Sequence, residues 1–372
     1  MIIQKFETWK LERSGDYFDK ARKSGSPMPW DVVAIKLTDD EGTEGIATAL
    51  GARSGNITQN FLHEVIAPIV LGKNITEREA IQQMLYTVDR HITFFPNYLP
   101  GPVDVALYDM AAKKANLPLF RYLGASRTSL PVYASGLFLS TVDDYVQEAL
   151  YHQSRGIPAY KSHPCGPWQK DIEIATAVRE AVGPDYTLMF DPVAEYTLDQ
   201  AIRVGRVLEK LNYLWFEEPF RDHEIEKYAR LCEALDIPVA NTETSRGDHR
   251  GVAQYIHQRA SDIVRADVSW KWGVTGTLKI AHLAEAFGMN CEIHTTTMAY
   301  MDIANLHVSC AIRNCDYFEL FVPEENFRFP MKGALPIDEK GIIHVPEKPG
   351  IGVEIDWDLV DKTCTSYLKK TL

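Results

Sequence analysis

Short runs of large apolar residues alternate with amphipathic segments through the second half of the chain. The runs TLMFDP, YLWFEEP and IPVANTE lack the stripe of a helix, so each is typical of a strand buried on both faces. Residues 197–212 begin with Thr197 and Gln200 in a helix-capping box and then place apolar residues at positions 201, 204, 207 and 208 on one face. Residues 222–236 repeat this plan. One strand and one helix about every 25 residues predict a parallel TIM-type barrel.

The predicted strands of this barrel end in ionisable residues. In chain order these are Lys161, His163, Asp191, Glu217, Glu243, Asp267, His294 and Glu319. Asp191, Glu217 and Glu243 are separated by 26 positions each time. Catalytic groups of such barrels lie at the C-terminal ends of the strands, where the βα loops build the mouth of the site. A single acid there is more often part of a structural ion pair, but a series in register predicts an active site.

Two glutamates and one aspartate at neighbouring strand ends predict a hard, all-oxygen site that suits Mg²⁺. We therefore expect Asp191, Glu217 and Glu243 to be metal ligands. Because side chains alternate along a strand, only one of Glu217 and Glu218 can face inward with Trp215, and the equal spacing favours Glu217. Glu218 is then a supporting neighbour.

Basic and acidic groups flank these ligands. Lys161 and His163 lie two positions apart on one strand, so both face the lumen. A lysine near a divalent cation is biased toward its neutral form and can act as a general base, although a lysine alone is more often an anion anchor. An aspartate beside a histidine, as with Asp267 and His294, fixes the imidazole tautomer and stabilises the protonated ring. Glu319 would hydrogen-bond a substrate carboxylate if protonated, or shape the developing charge.

The length and composition of the chain indicate a second domain and disfavour several classes of binding partner. At 372 residues the chain is about 120 longer than a minimal barrel. Strand-like alternation followed by helices predicts an α+β capping domain over residues 1–126, completed by residues 322–372, with the barrel over residues 127–321. The segment GIIHVPEKPGIGVEIDW is expected to pack back on this cap.

The net charge of −12 and the lack of a long basic run disfavour nucleic acid as a partner. The six cysteines form no CxxC pair or zinc spacing and predict ordinary thiols of a reducing compartment. No signal peptide and no run of 18 apolar residues is present, so we expect a cytoplasmic protein that does not contact membranes.

Taken together, these residues resemble the enolase superfamily and, within it, the mandelate racemase subgroup. The resemblance spans nearly the whole chain and includes the cap segment PGPVDVALYDMAAKKANLPLFRYLGA. It implies a (β/α)7β barrel with a capping domain, Mg²⁺ on the ligands named above, the Asp267–His294 dyad, Glu319 on the last strand, and a Lys or His base that forms an enediolate. It also suggests a homo-oligomer.

Three positions depart from the pattern of that subgroup. A KxK pair is replaced by Lys161 and His163, which leaves open which of them is the base on that face. An asparagine two residues after the first ligand is replaced by Val193, and a glutamate in a GxGE turn is missing at residues 45–47. These changes argue against mandelate racemase itself.

The implied reaction begins with removal of the proton α to a carboxylate. Loss of a β-hydroxyl would then make the enzyme an acid-sugar dehydratase that forms a 2-keto-3-deoxy acid, which we favour. Reprotonation of the α-carbon would make it a racemase or epimerase, and departure of a ring oxygen a cycloisomerase.

Polar loop residues that suit a hydroxylated acid are Lys20, Arg22, Lys23, Arg246, His249, Lys271 and Trp272. No Gly-rich turn follows the last two strands, so a phosphorylated substrate is disfavoured. Other classes stay open, namely a metal-dependent hydrolase and a metal-binding barrel without catalysis. The complete set of acids and bases weighs against a barrel without catalysis, because lumen charges without a function cost stability. A lysine and a His-Asp pair on opposing strands fit carbon-acid chemistry better than hydrolysis.

Overall fold

A computed structural model describes residues 1–13, 31–52, 54–164, 166–295 and 298–372. The strands are β1 Ile3–Leu11, β2 Asp31–Asp39, β3 Glu44–Ala52, β4 Ser129–Ser135, β5 Ala159–Ser162, β6 Thr187–Phe190, β7 Phe216–Glu217, β8 Val239–Asn241, β9 Ile263–Ala266, β10 Asn290–Ile293, β11 Phe318–Phe321, β12 Ile342–His344 and β13 Cys364–Thr371.

The α-helices are α1 Gly55–Phe61, α2 Ala67–Val70, α3 Arg78–Val88, α4 Pro100–Lys114, α5 Leu119–Tyr122, α6 Val142–Ser154, α7 Trp168–Val182, α8 Leu198–Lys210, α9 Ile225–Ala234, α10 His249–His257, α11 Gly273–Ala286, α12 Ala299–Ala311 and α13 Trp357–Thr363. Two π-helical turns, Leu62–Ile66 and Asp89–Thr93, and a 3-10 turn, Glu324–Asn326, complete the set. Over the described ranges, none of the helices combines the length and the apolar character that crossing a lipid bilayer requires.

Within the described residues, eight parallel strands form the barrel in the order β10-β9-β8-β7-β6-β5-β4-β11. One helix, from α6 to α12 in turn, follows each strand from β4 to β10. Between β10 and β11 the described part of the chain shows no strand pairing, so the barrel is nearly closed. The predicted (β/α)7β barrel is confirmed.

The local signals in the barrel sequence are also confirmed. Helix α8 begins after Thr197, whose hydroxyl accepts from the Gln200 N–H while the Gln200 side chain accepts from the Thr197 N–H. The helix buries Ala201, Val204 and Leu208 against the barrel. The strands between the helices are buried on both faces, as their unbroken apolar runs predict.

The capping domain is built on an antiparallel sheet with the strand order β13-β1-β2-β3. Helix α4 packs between β3 and the barrel helix α11 and is therefore buried over most of its surface, rather than on a single face. Gly45 on β3 permits this approach, because a Cβ there would lie 2.1 Å from the carbonyl oxygen of Ala106.

The expectation for GIIHVPEKPGIGVEIDW was wrong in part. Strand β12, at the start of this segment, pairs antiparallel with the first barrel strand β4 rather than with the cap. The chain returns to the cap sheet later, through β13, which pairs with β1. The exact division between the domains, at residues 126 and 322, stays a prediction. The described cysteines, Cys232, Cys291, Cys310, Cys315 and Cys364, are free thiols, and Cys165 lies outside the described residues.

A buried aspartate of α4 joins the cap to the barrel. Asp104 accepts hydrogen bonds from the N–H and the hydroxyl of Thr275, both at 2.9 Å, in the first turn of α11. A carboxylate there satisfies a backbone N–H that the helix cannot bond internally. Burial disfavours the charged form and raises the pKa of Asp104 to about 6.

We expect Asp104→Ala to lower the free energy of unfolding by roughly 2 to 3 kcal/mol at pH 5, because Thr275 loses its buried partner. The folded-state pKa lies above the value of 3.8 expected for the unfolded chain, so the wild type binds a proton more tightly when folded and loses stability as pH rises toward 6. The loss in Asp104→Ala should therefore be about 1 kcal/mol smaller at pH 7.5. Urea unfolding at both pH values measures this, with Asp104→Asn as the control that cannot ionise; an equal loss at both pH values would contradict it.

Candidate active site

The floor of the barrel is a layer of buried apolar side chains, formed by Tyr133, Ala159, Met189, Trp215 and Ala240. Two residues further along a strand the side chain returns to the same face. The layer above the floor is accordingly made by Ser135, Lys161, Asp191 and Glu217, which are buried and polar. The indole Nε1–H of Trp215 donates to Glu217 Oε2 at 2.7 Å, which confirms that Glu217 faces inward with it.

Strand β8 departs from this alternation. Thr242, two residues beyond Ala240, has a left-handed backbone with φ 91° and donates its hydroxyl to the carbonyl of Arg265. This backbone conformation brings Glu243 into the site, where Oε2 lies 2.8 Å from Arg265 Nε. The third acidic side chain therefore enters the site because the residue before it, Thr242, has a strained backbone conformation. Such a conformation is retained where the surrounding structure requires it.

The loop after β6 is also left-handed, at Val193 and Ala194, with φ values of 54° and 63°. A β-branched residue seldom adopts this region. The N–H of Val193 donates to Asp191 Oδ1 at 2.8 Å, and the N–H of Ala194 donates to the carbonyl of Glu218 at 2.8 Å. The backbone of Val193 thus contacts the acid, although its side chain lacks the polar group that the resemblance implies.

A closed ring of alternating charges lies at the centre of the site. Lys161 Nζ contacts Glu217 Oε1 at 2.7 Å and Glu319 Oε1 at 2.8 Å. Arg265 completes the ring, with Nε 3.1 Å from Glu217 Oε1 and Nη2 2.7 Å from Glu319 Oε2. The sequence analysis did not predict Arg265 as a residue of the site. The signal was present, because Arg265 lies two positions before Asp267 and must share its face of β9.

This ring influences the protonation of Lys161 and Glu319. Burial by itself disfavours a charged amine, but the charges of Glu217 and Glu319 outweigh it and raise the pKa of Lys161 well above its usual value. The neutral Lys161 expected beside a divalent cation stays a prediction. Burial would raise the pKa of Glu319, yet Lys161 and Arg265 hold it well below its usual value. The lowered pKa favours the alternative in which an ionised Glu319 shapes the developing charge.

His163 lies beside the ring and contacts Asp191. Its Nδ1 is 2.5 Å from the carbonyl oxygen of Gly136, and its Nε2 is 3.2 Å from Asp191 Oδ2. A Cβ at Gly136 would lie 2.2 Å from Glu148 Oε2, so a larger residue there would have to displace that carboxylate. Lys161 and His163 thus both face the lumen, as the alternation predicts.

The predicted dyad of Asp267 and His294 is formed. His294 Nδ1 lies 2.8 Å from Asp267 Oδ2, and the other Asp267 oxygen accepts from the N–H of Ser269 and from Asn305 Nδ2. His294 Nε2 points toward Glu243 Oε1 at 3.6 Å, and the indole of Trp270 stacks on the imidazole with ring centroids 4.7 Å apart. Burial opposes the imidazolium, but Glu243 and Asp267 outweigh it and raise the pKa of His294 to about 9.

All eight predicted site residues are therefore connected. His163 contacts Asp191, and Asp191 lies 3.9 Å from Lys161. The charged ring connects Lys161 to Arg265, which in turn contacts Glu243. From Glu243 the network continues to His294 and Asp267.

Glu218 supports the acidic cluster from outside the lumen, as predicted. Its carboxylate accepts from the N–H of Glu243 at 3.1 Å and from the hydroxyl of Thr244 at 3.2 Å. Burial, reinforced by Glu243, Asp191 and Glu217, raises the pKa of Glu218 well above its usual value. Glu218 and Thr244 also line a cleft of about 1020 Å³ at the ends of β5 to β8, together with Lys170, Glu195 and Asp222.

The donor set fits a hard divalent cation, although the side chains do not form a closed ion shell as they lie. Among the residues that the structure describes, no three acidic, histidine or cysteine side chains converge closely enough to hold a metal ion. Glu217 accounts for this, since Oε1 faces Lys161 and Arg265 while Oε2 faces Trp215. Burial is the main cause of the raised pKa of Glu218, and the charges of Glu243, Asp191 and Glu217 add to it, so a cation would offset negative charge here. Asp191, Glu217 and Glu243 would hold the ion once Glu217 shares an oxygen with it.

The loop residues expected to meet the substrate take other positions. Trp272 is buried against the cap, stacked on Tyr86 at 4.0 Å. Lys271 is buried and donates to the hydroxyl of Ser245 at 2.9 Å, and burial lowers the pKa of its amine to about 8. Those two expectations were wrong, because both side chains complete the packing of the loop after β9. His249 lies 2.9 Å from Asp248 and Arg246 is exposed; Lys20, Arg22 and Lys23 lie outside the described residues.

Comparison with known proteins places the chain among enzymes. The family model described as "Enolase C-terminal domain-like" matches residues 144–359, and the N-terminal domain of mandelate racemase / muconate lactonizing enzyme matches residues 24–124. Arabinonate dehydratase of Saccharolobus solfataricus is 29% identical over 364 residues, covering 95% of this chain and 97% of that protein. L-talarate/galactarate dehydratase of Salmonella typhimurium is 34% identical over 298 residues, covering 77% of this chain and 73% of that protein.

A solved structure agrees with these relatives. D-glucarate dehydratase from Agrobacterium tumefaciens, complexed with magnesium, superimposes with a TM-score of 0.89 at 30% identity and covers 98% of this chain and 100% of that one. Further relatives at 26% to 28% identity are cycloisomerases and a racemase. The named relatives are dehydratases, cycloisomerases and racemases, so the protein is an enzyme.

Proposed function

Because the chain belongs to the mandelate racemase / muconate lactonizing enzyme family of the enolase superfamily, we propose that it is a Mg²⁺-dependent acid-sugar dehydratase. The reaction removes the hydrogen α to a carboxylate and the hydroxyl on the β-carbon as water. The resulting enol tautomerises to a 2-keto-3-deoxy acid. Several named relatives are sugar-acid dehydratases, which supports this class.

The observation that carries the proposal is the placement of two proton-transfer groups on opposite sides of the acidic cluster. Lys161 on the β5 side contacts Glu217 and Glu319, and His294 on the β10 side contacts Asp267 and approaches Glu243. Strands β5 and β10 are five positions apart in the sheet order. A substrate lying over the carboxylates would meet one group on each face, which a β-elimination with separate base and acid requires.

A bound Mg²⁺ would supply positive charge to the oxygens of the substrate carboxylate and so make the α-hydrogen more acidic. We propose Lys161 as the base, because both ring nitrogens of His163 are already directed at Gly136 and Asp191. Glu217 and Glu319 raise the pKa of the Lys161 amine, and a cation held by Glu217 would offset part of that negative charge and lower the pKa toward the neutral, proton-accepting form. Glu217 and Glu319 orient the Lys161 amine from two directions. His163 then holds Asp191 in place.

His294 is the proposed acid that protonates the departing hydroxyl. Asp267 holds Nδ1, so that the Nε2–H is directed at the acidic cluster, and Trp270 covers one face of the ring. The Asp267 carboxylate is itself fixed by Asn305 and the backbone of Ser269. A hydrogen-bonded aspartate in this position fixes the tautomer and stabilises the imidazolium.

The proposed substrate is an unphosphorylated sugar acid. The named relatives that are dehydratases of sugar acids support this class. The cleft of about 1020 Å³ beside Glu218 and Thr244 is lined by neither Lys161 nor His294, so its size does not define the substrate. Assembly into a homo-oligomer and a place in the cytoplasm stay predictions.

Product formation from a panel of aldonic and aldaric acids tests the proposal. We expect the Mg²⁺-loaded protein to release a 2-keto acid from at least one member, detected as its semicarbazone, and the protein stripped with EDTA to release none. A matched control is Lys210→Met, at the exposed end of α8, which should keep the wild-type rate. A panel without any keto-acid product would contradict dehydration.

Racemisation and cycloisomerisation are the alternatives that the same geometry permits. If His294 returns a proton to the α-carbon, the product is an epimer; if a ring oxygen leaves and takes up the proton, the ring opens and the product is an acyclic keto-acid isomer. The relatives include cycloisomerases and a racemase, which supports both alternative reactions. Chiral analysis of recovered acids, and anhydro-sugar acids added to the panel, separate these outcomes from water loss.

A further inference from the structure

Arg265 lies in the centre of the barrel, and the proposed reaction gives it no part. Its side chain is 0% exposed. Its Nε lies 3.1 Å from Glu217 Oε1 and 2.8 Å from Glu243 Oε2, and its Nη2 lies 2.7 Å from Glu319 Oε2. A guanidinium is costly to bury unless carboxylates pair with it, so these contacts are what keep it there.

The oxygens that Arg265 contacts belong to proposed ligands of the divalent ion. Arg265 engages one oxygen of Glu217 and one of Glu243. Guanidinium stays charged at any pH at which the protein is folded. Two cations that share a carboxylate repel each other, and the repulsion is weakly screened in a buried site. A bound ion and Arg265 therefore compete for the same negative charge.

Arg265 also differs from Lys161 in how firmly it is held. Besides the carboxylates, its Nη1 donates to the hydroxyl of Tyr133 at 3.1 Å, so the guanidinium is fixed on three sides. Its planar fork matches this arrangement of acceptors, which an ammonium group would not. The contacts to Glu319 and Tyr133 do not involve the proposed ligands and anchor the group independently of the ion.

We propose that Arg265 is a positioning residue that acts as the internal counter-cation of the ion site. It holds Glu217, Glu243 and Glu319 in place when no ion is bound, and it lowers the affinity of the site for a divalent ion. This inference rests on the proposed function, because it requires the ion to bind at Asp191, Glu217 and Glu243.

Calorimetric titration of the metal-stripped full-length protein with MgCl₂ tests this role. We expect Arg265→Met, which removes the charge but keeps an apolar stem, to bind Mg²⁺ at least about tenfold more tightly than the wild type. Arg265→Lys keeps a cation and should stay within about threefold of the wild type. Mg²⁺ should also raise the melting temperature of Arg265→Met by more than that of the wild type, since the ion replaces the lost charge.

Tyr133→Phe is the matched control, because it removes a neutral partner of Arg265 and leaves every charge in place. Its Mg²⁺ affinity should equal that of the wild type. An Arg265→Met variant that binds Mg²⁺ as weakly as the wild type, or more weakly, overturns the inference while leaving the ion site intact. A wild type that binds no Mg²⁺ overturns the ion site itself, and with it this role of Arg265.

Crystal structures of the wild type with and without Mg²⁺ test the same competition, and they do not depend on the folding of a variant. We expect the contact of Arg265 to Glu217 or to Glu243 to lengthen beyond about 3.5 Å in the Mg²⁺ form, while the contact to Glu319 persists. Identical contacts in both structures would show that Arg265 does not compete with the ion.

Discussion

Lys161→Met is expected to lower kcat for the sugar-acid substrate by about 10² to 10⁴-fold, the range that a general base contributes. The methionine keeps the length of the side chain but cannot accept a proton. The fold should persist, because Arg265 still neutralises Glu217 and Glu319. Rates from a keto-acid assay, with melting temperatures measured in parallel, check this.

The comparison with His163→Asn decides which residue is the base on this face. If Lys161 is the base, His163→Asn retains α-hydrogen exchange at a reduced rate, because it weakens the support of Asp191. Lys161→Met then abolishes exchange. The reverse pattern would assign the base to His163, and Lys210→Met again serves as the lysine control at an exposed position.

His294→Asn is expected to reduce dehydration by about 10² to 10⁴-fold while exchange of the α-hydrogen at Lys161 continues. The asparagine cannot deliver a proton to the departing hydroxyl. Asp267→Asn should lower kcat by a comparable factor, since the histidine would lose the partner that fixes its tautomer at 2.8 Å. Product assays and exchange measured by NMR on the same samples separate the two steps.

His257→Asn, at the exposed end of α10, is the matched histidine control and should keep the wild-type rate. Loss of both exchange and product in His294→Asn would place His294 in the first proton transfer and favour racemisation. Product formation within tenfold of the wild type would remove His294 from the mechanism.

The sequence predicted the barrel and the members of the site because both follow from simple periods. The capping box of Thr197 and Gln200 and the spacing of Asp191, Glu217 and Glu243 are local patterns, and strand alternation orients Glu217 and Lys161 correctly. The left-handed backbone at Thr242, which brings Glu243 into the site, depends on a contact to β9 and has no local signal.

The sequence does not predict how the charged side chains pair inside the lumen. The raised pKa of Lys161 depends on Glu217 and Glu319, and the lowered pKa of Glu319 depends on Lys161 and Arg265. These residues lie on strands that are distant in the chain. Lys271 and Trp272 look like substrate contacts in a loop, but packing against Ser245 and the cap buries them. Such outcomes depend on tertiary distances that a sequence period does not encode.

Metal-dependent exchange of the α-hydrogen tests the central claim most directly. The panel of acids is incubated in D₂O with the Mg²⁺-loaded protein and with the EDTA-stripped protein, and α-deuterium and keto-deoxy products are followed by NMR. The account predicts deuterium incorporation and water loss with the Mg²⁺-loaded protein, and neither after stripping. Hydrolysis of an ester or lactone without α-exchange, or no exchange with any acid, would contradict it.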